Sequence, residues 1–262
     1  MILFPNAKIN IGLNIVNKRE DGYHNLETLF FPINWKDVLE IIPAKQFTFS
    51  SSGITINPER NSCKKAFDLL KNNYDIPNVH VHLHKNIPIG AGLGGGSSDA
   101  SFTLMALDKL FDLRLPKKKL MEYALQCGAD CPFFIENRPS LAQGVGEQLT
   151  SVSFDLSGYH LVVVYPSIFV STKEAFSKIV PKQPNYPILE EIKKPISEWR
   201  LSNDFEDGVF EKHPNIANIK QQLDGAGAIY SSLSGSGSSV YAFFTNKPSF
   251  KFNEYLIFHQ LL

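Results

Sequence analysis

The stretch Pro88-Ile89-Gly90-Ala91-Gly92-Leu93-Gly94-Gly95-Gly96-Ser97-Ser98-Asp99-Ala100 decides how the chain is read. Five of its thirteen residues are glycine, whereas a simple tight turn needs one or two. The preceding run, Val79-His80-Val81-His82-Leu83-His84, alternates as a strand does. The following run, Ala100 to Phe111, has apolar residues at 100, 104, 107 and 111, the spacing of a helix. The glycines therefore lie between a strand and a helix N-terminus. Glycine lets backbone N–H groups turn inward, and a helix start adds unpaired donors and partial positive charge. Together these features make a phosphate cradle. Ser97, Ser98 and Asp99 are expected to cap the helix, and the serine hydroxyls to meet phosphate or a metal.

The loop satisfies the dinucleotide fingerprint Gly90-x-Gly92-x-x-Gly95, but that pattern alone is weak, and the wider context fits neither a Walker A loop, a protein kinase nor a Rossmann unit. A Walker A loop would need a following Gly-Lys-Ser/Thr. A protein kinase would need His-Arg-Asp and Asp-Phe-Gly. A Rossmann unit would place an acidic residue at the end of the next strand, about 20 residues on. Here Asp108 and Asp112 fall in or just after the helical pattern.

Before the loop, Ala7 to Val16 alternates, with Ile9, Ile11, Leu13 and Ile15 on one face and Lys8, Asn10, Gly12 and Asn14 on the other. The polar face suits either solvent or a pocket wall. Asp21-Gly22 signals a tight turn, after which Tyr23 and His24 stand at the start of a strand over 26–33. Short strands are expected over 38–42, 46–50 and 53–56, then a helix capped by Asn61 or Ser62. The histidines at 80, 82 and 84 share one strand face, expected to be exposed; a metal there lacks a nearby carboxylate or cysteine partner.

After the loop, a helix from Pro116 to about Cys127 ends at Gly128, a natural C′ residue. Asp130 follows in apolar company, in Gly128-Ala129-Asp130-Cys131-Pro132-Phe133. Burial would be costly for it without a partner, so it reads equally as a base or as half of a structural ion pair. The second half opens near 158 with the buried strand 160–165. Ser171-Thr172 caps a helix holding Phe176. The Pro-rich stretch 181–200 reads as a loose connection with one helical turn, and Ser202 to Glu206 as a helix start. Ser231 to Ser239 is a second small-residue loop before the strand 240–244.

Composition bounds the class. At 262 residues, 43% hydrophobic and 20% charged, the chain is that of a folded globular protein. Lys plus Arg and Asp plus Glu are 26 each, so bulk charge does not favour nucleic acid. Three cysteines, Cys63, Cys127 and Cys131, make neither a disulfide framework nor a zinc set. No signal peptide or membrane-length apolar run is evident, and the cytoplasm is the expected location.

Three segments taken together resemble the three motifs of the GHMP kinases, a superfamily that includes galactokinase, homoserine kinase and mevalonate kinase. They are Pro5-Asn6-Ala7-Lys8-Ile9-Asn10, the loop Pro88 to Ala100, and Leu233-Ser234-Gly235-Ser236-Gly237-Ser238. Lys8-x-Asn10-x-x-Leu13, Lys18-Arg19-x-Asp21-Gly22-Tyr23-His24 and Gly128-Ala129-Asp130-x-Pro132-Phe133 are similar to the branch whose acceptor is a cytidine-diphosphate-linked methylerythritol. The resemblance runs over nearly the whole chain. It implies an α+β fold of two domains, 1–152 resembling ribosomal protein S5 domain 2 and 153–262 ferredoxin-like. It implies ATP-dependent phosphorylation of a hydroxyl in the non-mevalonate isoprenoid route, on a small-molecule substrate, by a monomer or homodimer that engages neither nucleic acid nor membrane.

The same resemblance assigns roles. Asp130 matches the general base and Lys8 the catalytic lysine, whose charge stabilises the developing alkoxide or phosphoryl group. Pro88, Gly90, Ala91, Gly92, Leu93, Gly94, Gly95, Gly96, Ser97 and Ser98 match the loop around the ATP phosphates, with Asn61 and Lys85 near the nucleotide. Asn10 matches a substrate-site polar residue. Tyr23 and His24 match the cytidine-recognition pair, with Phe176 as the opposite stacking face. Gly235 and Ser236 belong to the loop that closes the site. No dedicated metal carboxylate is identified: Mg²⁺ arrives with ATP, with Ser98 as a candidate ligand. Another alcohol acceptor would leave Tyr23-His24 without a purpose, and a non-catalytic sensor would be expected to lack Lys8 or Asp130. The tail after Phe244 reads as short and weakly patterned for the family.

Overall fold

The structure is a computed structural model and describes residues 1–57, 61–249 and 255–262. The chain divides into two compact units, each assembled from separate stretches of sequence.

The first unit takes residues 1–8, 32–89 and 94–138. Its sheet has the order β1-β4-β6-β5, from Ile2–Leu3, Val38–Pro43, Val79–Lys85 and Thr48–Gly53 respectively. β4 pairs antiparallel and β5 parallel with β6. The parallel pair requires a crossover, which α1 (Ser62–Lys71) supplies. α2 (Gly95–Leu110), α3 (Lys117–Cys127) and α4 (Cys131–Glu136) complete the unit. Its core joins Leu39, Ile41, Val79, Val81 and Leu83 of the sheet to Phe67 and Leu70 of α1 and Leu104 and Leu107 of α2. Strict alternation in β6 sends the valines inward and the histidines outward.

Those histidines are half-buried rather than exposed, and they bond to hydroxyls of β5. Thr48 Oγ1 lies 2.7 Å from His80 Nδ1, Ser50 Oγ 2.8 Å from His82 Nδ1 and Ser52 Oγ 2.9 Å from His84 Nδ1. The parallel register places each hydroxyl directly opposite its imidazole. No cluster of three or more metal-ligating side chains occurs among the described residues.

The second unit takes residues 9–31, 90–93 and 139–262. β2 (Asn6–Lys18) and β3 (His24–Lys36) flank the Asp21-Gly22 turn, and β3 continues antiparallel to β7 (Ser140–Gln143), then to β8 (Gln148–Ser151). A second, antiparallel sheet has the order β10-β11-β9-β12, from Tyr230–Leu233, Val240–Phe244, His160–Tyr165 and Leu256–Leu261. In chain order that is 2-3-1-4, the arrangement of a ferredoxin-like sheet. α5 (Thr172–Phe176), α6 (Ile188–Glu191), α7 (Glu206–Lys212) and α8 (Pro214–Gly225) belong to this unit. Val162, Val164, Val240 and Ala242 of the sheet pack with Val209 of α7 and Ile216, Ile219 and Leu223 of α8. Among the described residues no helix is long and apolar enough to cross a membrane.

Several local expectations change. The loop helix begins at Gly95, with Gly94 in a left-handed N-cap conformation and no side-chain cap; Ser97, Ser98 and Asp99 lie inside the first turn. Glycines, not hydroxyls, set this entry, leaving the first N–H groups uncovered by side chains. The expected strand over 53–56 is absent: β5 ends at Gly53. Gly128 follows α3 with extended φ (173°), not in the left-handed cap conformation. Residues 202–205 precede α7 instead of opening it; Leu13 and Asn203 form a parallel bridge there. The Pro-rich stretch holds α6 and a 3-10 turn at Ile196–Glu198, each entered through a proline. The tail supplies β12, whose side chains alternate in pairing with β9; residues 250–254 of that tail lie outside the described residues.

Candidate active site

In the first unit, Lys8 is the third residue of β2, and its side chain is only 4% exposed. A strand alternates its faces, so with Ile9 in the apolar core Lys8 is carried to the opposite side. That side is not solvated: Lys8, Asn10 and Asn14 are all buried. Lys8 Nζ lies 3.5 Å from Asp130 Oδ2, and the Asp130 side chain is about one-third exposed, at 35%. Burial lowers the Lys8 pKa from 10.5, with Asp130 opposing that shift. Pro132 at the start of α4 ends the preceding turn and leaves Asp130 as the residue before the helix.

The same lysine reaches the glycine stretch at the start of α2. A Cβ at Gly94 would stand 3.1 Å from Lys8 Cγ and 2.9 Å from Phe134 Cζ, and φ there is +69°. Only glycine allows this approach, so the helix start and the Lys8 stem share one spot. Ser98 Oγ, fully buried in the first turn of α2, has no hydrogen-bond partner among the described residues. The nearest atom to a Cβ on Gly96 would be Ser62 Oγ, at 3.9 Å, so the first turns of α1 and α2 lie side by side. Asn61 is here, but as the α1 cap: its Oδ1 accepts from the N–H of Cys63 and Lys64 at 3.0 and 3.2 Å.

Lys85 meets two buried carboxylates. It is 3% exposed, and its ammonium bonds Asp37 and, at 2.6 Å, Asp99 Oδ2. Burial would lower its pKa, but the two carboxylates outweigh burial and hold it above 10.5. Burial pushes Asp99 up, against the pull of Lys85. Asp37 Oδ1 also accepts from the N–H of Asn86 and Ile87 at 2.7 and 2.8 Å, at the entry to the glycine loop. Asp37 carries no motif. The one available signal was an acidic residue between two apolar strands.

In the second unit, the Gly90–Leu93 part of the loop is clasped by the loop Leu233–Ser239. Ser234 Oγ donates to Gly92 O at 2.9 Å, and Ser239 N–H donates to Ala91 O at 3.1 Å. A Cβ on Gly92 would collide with the carbonyl oxygen of Ser234, and φ is +76°, so glycine is required. The Asn10 backbone N–H donates to Ser234 Oγ at 3.3 Å, and its side-chain Nδ2 donates to Thr28 Oγ1 at 3.0 Å. Asn10 Oδ1 lies 3.2 Å from where a Gly235 Cβ would stand. Asn10 and Gly235 are therefore neighbours; Ser236 follows on the same loop, and Pro88 stands buried at the start of the glycine stretch.

His24, opening β3, stacks on Phe176 at the end of α5, with ring centroids 4.9 Å apart and planes 23° from parallel. Ser171 caps α5 by accepting from Glu174 N–H, which orients the helix that carries Phe176. Tyr23 stands 66% exposed at the turn. The structure thus pairs Phe176 with His24 and leaves the Tyr23 ring in solvent.

Comparison with known proteins places the chain in a family. The model of the GHMP kinases N terminal domain matches residues 61–138, and that of the GHMP kinases C terminal region residues 188–251. A Bacteroides fragilis protein named 4-diphosphocytidyl-2-C-methyl-D-erythritol kinase is 50% identical over 94% of this chain and 92% of its own length. A protein of the same name from Cytophaga hutchinsonii is 49% identical over 95% and 94%. A crystal structure of 4-(cytidine 5'-diphospho)-2C-methyl-D-erythritol kinase superposes with TM-score 0.80 at 31% identity, covering 92% of this chain and 89% of that one. With the motifs, the two-domain α+β fold and near-full-length identity in agreement, the chain belongs to the 4-diphosphocytidyl-2-C-methyl-D-erythritol kinases of the GHMP kinase superfamily.

Proposed function

We propose that this enzyme transfers the γ-phosphoryl group of ATP to the 2-hydroxyl of 4-diphosphocytidyl-2-C-methyl-D-erythritol, in the cytoplasm, in non-mevalonate isoprenoid precursor synthesis. The observation that carries the reading is the Lys8–Asp130 pair at 3.5 Å, with the Lys8 stem against Gly94 at the start of α2. Asp130 takes the proton of the acceptor hydroxyl as its oxygen bonds to the γ-phosphorus, and the bond to the β-phosphate oxygen breaks to release ADP. Lys8 holds positive charge where the oxyanion and phosphoryl charge develop.

The glycine loop Gly90–Gly96 and Ser97 bind the phosphates through backbone N–H groups and the uncovered helix start. Mg²⁺ supplies charge neutralisation on those phosphates when bound, and the orphaned Ser98 hydroxyl fits it as one oxygen ligand. Asn10, Gly235 and Ser236 position the acceptor. His24 and Tyr23 recognise cytosine, with Phe176 as a stacking face. The His24–Phe176 stack in the present structure supports an aromatic slot that a base would enter in place of one ring contact. Asn61, as the cap of α1, and Lys85, through its bond to Asp99, lie near the nucleotide. Residues 1–152 and 153–262 are assigned as the N-terminal and C-terminal domains of this enzyme.

The test is ADP release with Mg-ATP and the cytidylyl substrate, beside homoserine, mevalonate and galactose. Turnover confined to the cytidylyl substrate is expected. Turnover on a control alone would remove the cytidine assignment, and ATP binding without turnover on any substrate would remove the kinase assignment.

A further inference from the structure

Asn203 carries no motif, yet it is 3% exposed and every polar atom of its side chain is engaged. Its Nδ2 donates to Leu233 O at 2.9 Å and to Gly235 O at 2.8 Å. Its Oδ1 accepts from Phe205 N–H at 2.9 Å. Two carbonyls on one amide nitrogen hold the turn between them in one shape. Ser234 sits between those carbonyls, and its hydroxyl reaches Gly92 O.

The amide is itself anchored. Leu13 N–H donates to Ser202 O and Asp204 N–H to Leu13 O, both at 2.9 Å, while Asp204 Oδ2 accepts from Ile15 N–H at 2.7 Å. Glu206 Oε1 accepts from Leu233 N–H and from Ser232 Oγ, both at 2.8 Å, on the other side of the same turn. The segment Ser202–Glu206 thus ties β2 to the Leu233–Gly235 turn.

We infer that Asn203 is a positioning residue for nucleotide binding: it shapes the Leu233–Gly235 turn so that Ser234 can hold Gly92, and with it the Gly90–Leu93 part of the phosphate loop. The inference rests on the reading of that loop as the ATP phosphate cradle. Nothing in it requires Asn203 to touch ATP. A buried amide with all its bonds made imposes one geometry, because any alternative leaves a buried carbonyl unpaired.

The experiment compares Asn203→Asp, Ser234→Ala and the double variant with the wild type, reading KM for ATP, KM for the acceptor and kcat separately. Asp keeps the shape but replaces two donors with acceptors facing two carbonyls. Asn203→Asp is expected to raise KM for ATP about tenfold, the scale of one or two lost hydrogen bonds. KM for the acceptor is expected to stay within about twofold, a split that general loosening of the fold would not produce. Ser234→Ala is expected to reproduce the effect, and the double variant to be no worse than the worse single, since both break one link. Unchanged KM for ATP in folded Asn203→Asp, or multiplying effects in the double variant, would overturn the inference. If Asn203→Asp does not fold, Ser234→Ala decides alone: unchanged KM for ATP overturns the link through Gly92. Calorimetry of wild type with ATP separates the two levels, since absent binding there would instead refute the phosphate-cradle reading.

Discussion

Replacing Asp130 with Asn isolates the proton-transfer role from the structural one. The two side chains have nearly the same shape, so the α4 entry is preserved. At 3.5 Å the Lys8–Asp130 attraction is about 5 kcal/mol for an effective dielectric of about 20. Most of that is offset, because the Lys8 ammonium is stripped of water and Asp130 is one-third exposed. The expected net loss of folding stability is about 1–3 kcal/mol, which the enzyme survives with a melting temperature lowered by several degrees.

The rate effect should be larger. A positioned general base contributes roughly 100- to 10,000-fold, equivalent to about 3–5 kcal/mol of barrier. We therefore expect kcat to fall by at least about 100-fold while ATP affinity, read by calorimetry, stays within about threefold. Losing the carboxylate also removes what opposes the burial effect on Lys8, so its pKa falls further below 10.5 and the alkaline limb of the residual activity moves to lower pH. Assays of kcat across pH with folded Asp130→Asn test both statements. A kcat within about tenfold of wild type would refute Asp130 as the base and return it to the role of a structural ion pair.

Phe176→Ala should raise KM for the cytidylyl acceptor about tenfold or more, the worth of a base–aromatic stack, with little change in KM for ATP; initial-rate kinetics in both substrates check it. Gly92→Ala forces a Cβ onto the Ser234 carbonyl at φ +76°, so it should cost at least about 2 kcal/mol and abolish tight ATP binding, measured by thermal unfolding and calorimetry. Asp99 has a folded pKa raised from 3.8 to about 7, mainly by burial, so the folded state holds its proton longer than the unfolded state. Its contribution is full below 3.8 and is lost as pH rises through about 7. The melting temperature of Asp99→Asn relative to wild type should therefore be higher at pH 8 than at pH 5; an equal difference at the two pH values would contradict the buried Lys85–Asp37–Asp99 arrangement.

The sequence by itself determined what depends on neighbours in the chain. Alternation in Val79–His84 and Ala7–Val16 specified strands and their two faces, because side chains in a strand have period 2. Five glycines between a strand and a helix pattern pointed to a tight, glycine-dependent loop, and Gly90, Gly92 and Gly94 do take the positive φ that glycine favours. Lys8 and Asp130 were nominated by their motifs. What tertiary structure alone decided concerns partners remote in sequence. The family resemblance implies that Lys85 lies near the nucleotide, but only the fold shows that its ammonium meets Asp37, 48 residues away. The polar face of β2 suited water as well as a pocket, and burial of Lys8, Asn10 and Asn14 removed the first reading. Asn203 read as part of a helix start, since nothing local reveals that its amide meets carbonyls 30 and 32 residues on. Periodicity reports which face a residue takes; only the folded chain brings to that face the charge or carbonyl that gives a buried polar group its purpose.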